Sequence, residues 1–344
     1  MKNMLSWIIS FTNSTARPLR FVCTVCALAI QLKLAKTMAS ISLNMVRRQR
    51  HIAVRRATKS VQLEVQNYPA QQEILKEYFT EIMESVFVHR YRDVAPQLRL
   101  ECVKYLGEWM SSYEVFFLQA ENIRYLGWLL SDPNALVRLE IAKVLHNLYK
   151  SSDAGNMNSA LRQFTERFKG QLVSMSSNDV DLSVRYALLG CINEIAKIGV
   201  FNEASIVEIT LNYFRITNPT HKSIDRFRIE YAKLIVSEVE QISSLSRQKY
   251  QVQDDKLNLD IYIMIKSLID FVANAINVAE KSKCTINSQA LTELFVSIYQ
   301  LNTPISWEDL VKYMLLDFSS ILDDGSKKSE DLKKFLVVND QEKN

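Results

Sequence analysis

Six cations fall within thirteen residues at Arg47–Lys59, RRQRHIAVRRATK: Arg47, Arg48, Arg50, Arg55, Arg56 and Lys59. No acid stands within four residues to pair with them on a helix. A guanidinium presents a planar fork that donates two hydrogen bonds to one anion, so the chemistry of this run is phosphate binding. With no motif for reading base edges, such contacts would hold double-stranded DNA without selecting sequence. The same composition serves equally as a nuclear import signal or as a solvated charged helix tip. Charge along the chain is lopsided. The first 63 residues hold eleven Lys and Arg before the first acid, Glu64, and the remainder holds 31 basic against 38 acidic residues. A second basic feature is NYFRITNPTHKSID, where Arg215, His221 and Lys222 flank an Asn-Pro turn, and Arg124 is a candidate to extend the same track.

Other chemistry finds little support. There is no glycine-rich phosphate loop and no Gly-x-Ser-x-Gly. His51, His89, His146 and His221 lack metal-ligand spacing. Cys23-x-x-Cys26 lies inside an apolar helical run with no second pair nearby, which argues for packed thiols rather than a redox or metal site. No catalysis, metal, cofactor or small-molecule substrate is expected. Five cysteines, an odd number, fit reduced thiols in the cytosol or nucleus.

The elements carrying these residues read as helices. Seven Gly and six Pro in 344 residues leave long uninterrupted segments. Five of these open alike, with an Arg that directly follows an apolar residue (Leu, Val or Phe) and begins an apolar stripe: Arg20, Arg99, Arg138, Arg185 and Arg228. Their spacings are 79, 39, 47 and 43 residues. A period of ~40–47 residues is that of HEAT repeats, helical hairpins that bury their faces only by stacking. The fold class is therefore all-α, a HEAT-repeat α-solenoid, with the arginines as a hydrogen-bonded ladder and one further repeat hidden in the 79-residue gap. In the third copy Asp132 is the expected N-cap and Pro133 the first helical residue. Between Pro18 and Pro69 no helix breaker occurs; such a stretch reaches ~60–70 Å if mostly helical, with the return helix starting near Pro69. Ser244–Asn258 reads as a polar connection and Asp323–Asn344 as a polar linker or cut end. The apolar runs near the start are too short or interrupted for an export signal or a membrane span. The expected division is 1–67, 68–153, 154–322 and 323–344.

The run VFVHRYRDVAPQLRLECVKYLGEWM (Val86–Met110), with YLGWLLSDPNALVRLEIAKVLHNLY (Tyr125–Tyr149) and LRQFTERFKGQLVSMSSNDVDLSVRYA (Leu161–Ala187), resembles the stromalin subunits of cohesin. The resemblance covers roughly Leu5 to Ile198; beyond Gly199 only the helical pattern persists. It implies a nuclear, chromosome-associated, non-catalytic subunit of which this chain is a fragment. Its partners would be the kleisin subunit and double-stranded DNA in sister chromatid cohesion. It also implies a projecting pair of long helices at Pro18–Pro69. Finally, it implies a surface for regulators carrying aromatic peptide motifs, formed by Trp109 of Gly-x-Trp-Met and Arg138 of Val-Arg-Leu. The alternative is a HEAT-repeat adaptor that binds only proteins, of transport or phosphatase type, its basic segment serving nuclear import.

Overall fold

A computed structural model describes residues 2–54, 59–152, 157–215, 221–250, 259–282, 286–301, 305–315, 332 and 335–337. All regular structure among them is helical. The chain divides into two compact units, Met1–Gln171 and Leu172–Asn344.

The first unit opens with α1 (Lys2–Thr12), α2 (Arg17–Val54) and α3 (Lys59–Ile82). Helix α3 runs on into a π-helical turn at Met83–Phe87 and then α4 (Val88–Arg90). There follow α5 (Pro96–Ser112), α6 (Glu114–Phe117), α7 (Ala120–Leu129), α8 (Ala135–Lys150) and α9 (Ser159–Asn178), the last crossing the unit boundary. At 38 residues α2 is about 57 Å long at 1.5 Å per residue. Its residues Thr24, Leu28, Gln31, Ala35 and Met38 are all fully buried. They recur every three or four positions, so they form one stripe, and α2 packs on α1, α3 and α5. No described residue of α2 after Met38 is buried. This far half, joined to α3 by a Gln72–Ser42 side-chain hydrogen bond of 3.1 Å, is the expected projecting hairpin. The return helix begins at Lys59, ten residues before the expected start at Pro69, which lies inside it. Pro69 is exposed, and its missing N–H removes one helical hydrogen bond without blocking the helix.

The arginine ladder is present in this unit, built on Asp93 and Asp132, which lie six residues before Arg99 and Arg138. Arg20 reaches Asp93 at 3.0 Å and Arg99 reaches Asp132 at 2.7 and 2.8 Å. Each arginine also donates to a carbonyl six residues back: Arg20 to Ser14, Arg99 to Asp93 and Arg138 to Asp132. The direct Arg20–Asp93 pair overturns the hidden repeat. The helices bearing Arg20 and Arg99 are packed neighbours, and the 79-residue spacing is the length of the α2–α3 hairpin. Nor is Asp132 an N-cap. Asn134 caps α8, accepting from Leu136 N at 2.9 Å, because Asp132 is held by Arg99 and by the Asn134 amide. The glycines of the sequence motifs mark close approach: a Cβ on Gly107 would sit 2.5 Å from Val144 Cγ2, and one on Gly127 would collide with the Phe168 ring.

The second unit comprises α10 (Leu182–Lys197), α11 (Glu203–Leu211), α12 (His221–Tyr250), α13 (Leu259–Lys281), α14 (Ser288–Gln300) and α15 (Trp307–Leu315). Its apolar core gathers around Phe227, Tyr231, Ile263, Phe271 and Leu294. The segment expected as a polar connection from Ser244 is helical as far as Tyr250, since Ser243 and its neighbours continue the buried face of α12. Here the ladder changes form: Arg185 donates to Ser176 O at 3.3 Å, whereas Arg228 pairs with Glu293 of α14 at 2.6 Å. Two helical stretches, Arg17–Arg50 and Leu259–Lys281, are long and apolar enough to cross a bilayer by length and composition. Packing buries 28% of the apolar window in the first and 50% in the second, with Ala27, Leu28, Ile263 and Phe271 among the buried residues.

Gln31 is fully buried with neither side-chain polar atom hydrogen-bonded. Unsatisfied buried polar groups cost about 1–3 kcal/mol. Gln31→Met, close in shape but without the amide, is expected to stabilise the chain by about 1–2 kcal/mol. A rise in the urea midpoint would show it; a fall would reveal a hydrogen bond the fold depends on.

Candidate nucleic-acid interface

The cationic end of α2 is positioned by the buried stripe at its other end. Arg47 and Arg50 are exposed, and neither forms an ion pair among the described residues; Arg48 is half-buried. Arg55 and Arg56 lie outside the described residues, as do the side chains of Lys59 and Lys222. The sequence reading missed Lys33 and Lys36, both exposed on the same helix. At about 100° per residue, Lys33, Lys36, Arg47 and Arg50 share one face, turned well away from the buried stripe and about 25 Å long. The 14-residue offsets Lys33–Arg47 and Lys36–Arg50, near four helical turns, were the signal for it. Other cations of the basic segment are already engaged: Arg20 is held by Asp93, and Arg17 donates to Gln97 at 2.8 Å.

The remaining candidates separate. Arg124 is exposed in the first unit, its guanidinium 5.4 Å from the Tyr125 ring centroid and 5.3 Å from that of Trp128. Arg215 is exposed in the second unit and donates to Asn212 Oδ1 at 3.1 Å. Trp109 does not form a surface. It is fully buried, its Nε1 donates to the Leu28 carbonyl at 3.3 Å, and its ring meets Phe87 and Phe117. The apolar stripe it continues on α5 faces α2 and α8, which removes it from any partner's reach. Arg138 is half-buried and donates to the Asp132 carbonyl at 2.7 Å. Cys23 and Cys26 are free thiols, and no group of three or more metal-ligating side chains occurs among the described residues. Burial, with a smaller contribution from Cys26, raises the Cys23 pKa, so Cys23 is not an activated thiolate.

Stacked helical hairpins tied by an aspartate–arginine ladder, with a cationic helix extending from them, define a HEAT-type helical solenoid. Residues 1–77 match the STAG domain family and residues 92–169 the stromalin conservative domain. By these two matches the chain resembles the stromalins. It is similar to the cohesin subunit psc3 of Schizosaccharomyces pombe, 31% identical over 216 residues that cover 60% of this chain and 22% of that protein. Cohesin subunit SCC3 of Saccharomyces cerevisiae is 29% identical over 226 residues, covering 60% of this chain and 19% of the relative. Sister-chromatid cohesion protein 3 of Arabidopsis thaliana is 36% identical over 123 residues, 36% of this chain and 11% of the relative. The chain thus spans about a fifth or less of these curated relatives. Among solved structures, the cohesin subunit Scc3 from Z. rouxii shares the fold, with a TM-score of 0.74 and 21% identity over 87% of this chain and 35% of that one.

Proposed function

We propose that this chain is part of a non-catalytic cohesin subunit in the nucleus that grips double-stranded DNA through the cationic face of α2 and holds the kleisin subunit on its helical repeats. The observation that carries the DNA reading is the row Lys33, Lys36, Arg47 and Arg50, exposed on one helix face in a stretch of 63 residues with no acid. The stromalin family and the names of its cohesin relatives support the setting in chromosome cohesion. Capture is electrostatic, so it discriminates poorly among sequences and weakens as salt screens and competes for phosphate.

The test is a fluorescence-anisotropy titration of a duplex at several salt concentrations. Five phosphate contacts would give a log–log salt slope of about −4.5. Arg47→Glu with Arg50→Glu is expected to lower duplex affinity at least ~10-fold and to flatten the slope by about two. Both positions are exposed and outside the packed stripe, so the circular dichroism spectrum should not change. Unaltered affinity would remove α2 from the interface and favour the protein-only adaptor, in which the basic run serves nuclear import.

A further inference from the structure

Along α13 of the second unit runs a cleft of about 930 Å³, walled by residues of α11 to α15. Every charged side chain on its wall is acidic: Glu203, Asp270 and Glu280. Asp270 is matched by the buried Lys266 at 2.7 Å, whereas Glu203 and Glu280 form no ion pair among the described residues. Asn274 donates its amide N–H to Glu203 at 2.8 Å, which holds that carboxylate against α13. Glu238 shares a face of α12 with Ile242, which lines the cleft one turn further on. It is 6% exposed and has neither a hydrogen bond nor an ion pair among the described residues. Burial, and then repulsion from Glu203, raises its pKa, so the two carboxyls stand close together. A carboxyl buried without a counter-charge is costly, and a cation entering the cleft would supply one. A groove of about 290 Å³ adjoins, sharing the Leu268, Phe295 and Leu310 side chains with the cleft. Its wall is almost wholly apolar. Tyr299 and Trp307, 46% and 59% exposed, stand on it with ring centroids 5.8 Å apart.

We propose that α13 seats an extended basic peptide of a partner protein, its Lys or Arg side chains meeting Glu203, Glu238 and Glu280 and an apolar side chain filling the adjoining groove. Charge selects this occupant. An acidic wall repels the phosphates of nucleic acid, and no group of three or more metal-ligating side chains occurs among the described residues. Size argues the same way, since the cleft is near the top of the ~300–1,000 Å³ of small-ligand sites and exceeds what a lone organic cation fills. From Leu268 to Glu280 is about 18 Å along the helix axis, the reach of about six residues of extended chain. Asp270, Asn274 and Asn277 recur at helical spacing and form one row along that path. Asn277 is exposed, and its amide offers a donor and an acceptor to match a peptide C=O and N–H. Exposed tyrosine and tryptophan beside a pocket are residue types that anchor a partner's side chain.

The proposal does not rest on the duplex reading, because this cleft is in the other unit and opposite in charge to α2. A fluorescently labelled peptide of about eight residues is titrated with the full chain by anisotropy. It carries a leucine followed, about three positions on, by a pair of arginines in a Gly-Ser background. Glu203→Gln with Glu280→Gln is expected to weaken binding ~10-fold and to flatten its salt dependence. Trp307→Ala should weaken it ~5-fold, yet cost nothing further with a peptide whose leucine is replaced by glycine, since both changes remove one contact. Glu238→Gln tests the buried group with opposite signs: the free chain should melt higher, while the peptide binds ~5-fold more weakly. A purely structural Glu238 would move the melt alone. Duplex affinity should stay within about twofold in every variant. Glu203, Glu280 and Trp307 are exposed, so their variants should fold, and an unchanged thermal melt checks it. Full affinity in the Glu203 and Glu280 double variant, or equal binding of a peptide with glutamates for arginines, overturns the proposal. So does displacement by free spermidine with the leucine making no difference, which would mark a site for a small cation.

Discussion

Replacing Asp132 by alanine is expected to cost the first unit about 3–5 kcal/mol, the range for removing one partner of a buried ion pair. The Asp132 side chain is 3% exposed and that of Arg99 12%. Its two oxygens take both the Nε and Nη2 of Arg99, and Oδ1 also receives the Asn134 amide that shapes the turn into α8. The hydrogen bond that Arg99 donates to Asp132 is the main cause raising its pKa, and an arginine side chain is in any case always protonated in proteins, so that guanidinium stays charged without its partner. Alanine therefore strands a nearly buried charge and loosens the loop at once. A urea titration of the full chain should show the first unit melting early while the second, built on its own core, is retained. A loss below about 1 kcal/mol would mean the ladder behaves like a surface ion pair.

The neighbouring rung gives a pH signature of the same device. Burial opposes ionisation of Asp93, but the Ala95 amide and the Arg20 and Arg90 guanidiniums outweigh it and hold the carboxyl below the usual carboxylate range. A depressed folded-state pKa contributes stability that is fully present above the unfolded value, about 4, and is lost as pH falls through the lower folded value. Stability measured from pH 6 downward should accordingly decline below about pH 4. In Asp93→Asn, that acid-side decline should be shallower.

Trp109→Ala is the second large effect, about 3–5 kcal/mol, because the indole is fully enclosed and its removal leaves a cavity among Phe87, Phe117 and Leu28. The variant also loses the Nε1–H donated to the Leu28 carbonyl, the contact that fastens α5 to the long helix. Since α2 carries the cationic face, duplex affinity should fall alongside stability, whereas a tryptophan that served only as a surface for partners would lose partner binding with the melt unchanged. Denaturation and anisotropy on the same preparation distinguish the two.

Much of this was legible from residue order because it is local. Apolar residues at helical spacing, scarce Gly and Pro, and arginines recurring at 39–47 residues specify helical hairpins that must stack. The phosphate-binding character of Arg47–Lys59 needs only composition, and the acids of the ladder were readable too: Asp93, Asp132 and Asp179 each precede an arginine by six residues.

Which face of a helix is covered is a different matter, since it depends on contacts between positions far apart in the chain. Trp109 and Trp128 have similar aromatic surroundings in sequence, yet α2, eighty residues upstream, buries one, while the other stays half exposed. In the same way Arg20 is neutralised by an aspartate 73 residues away, while Arg47 and Arg50 of the same helix stay in solvent. Composition determined that this protein is a cationic helical scaffold. Tertiary packing alone decided which cations and which aromatics remain free to meet a partner, because burial is a property of neighbours and not of residue type.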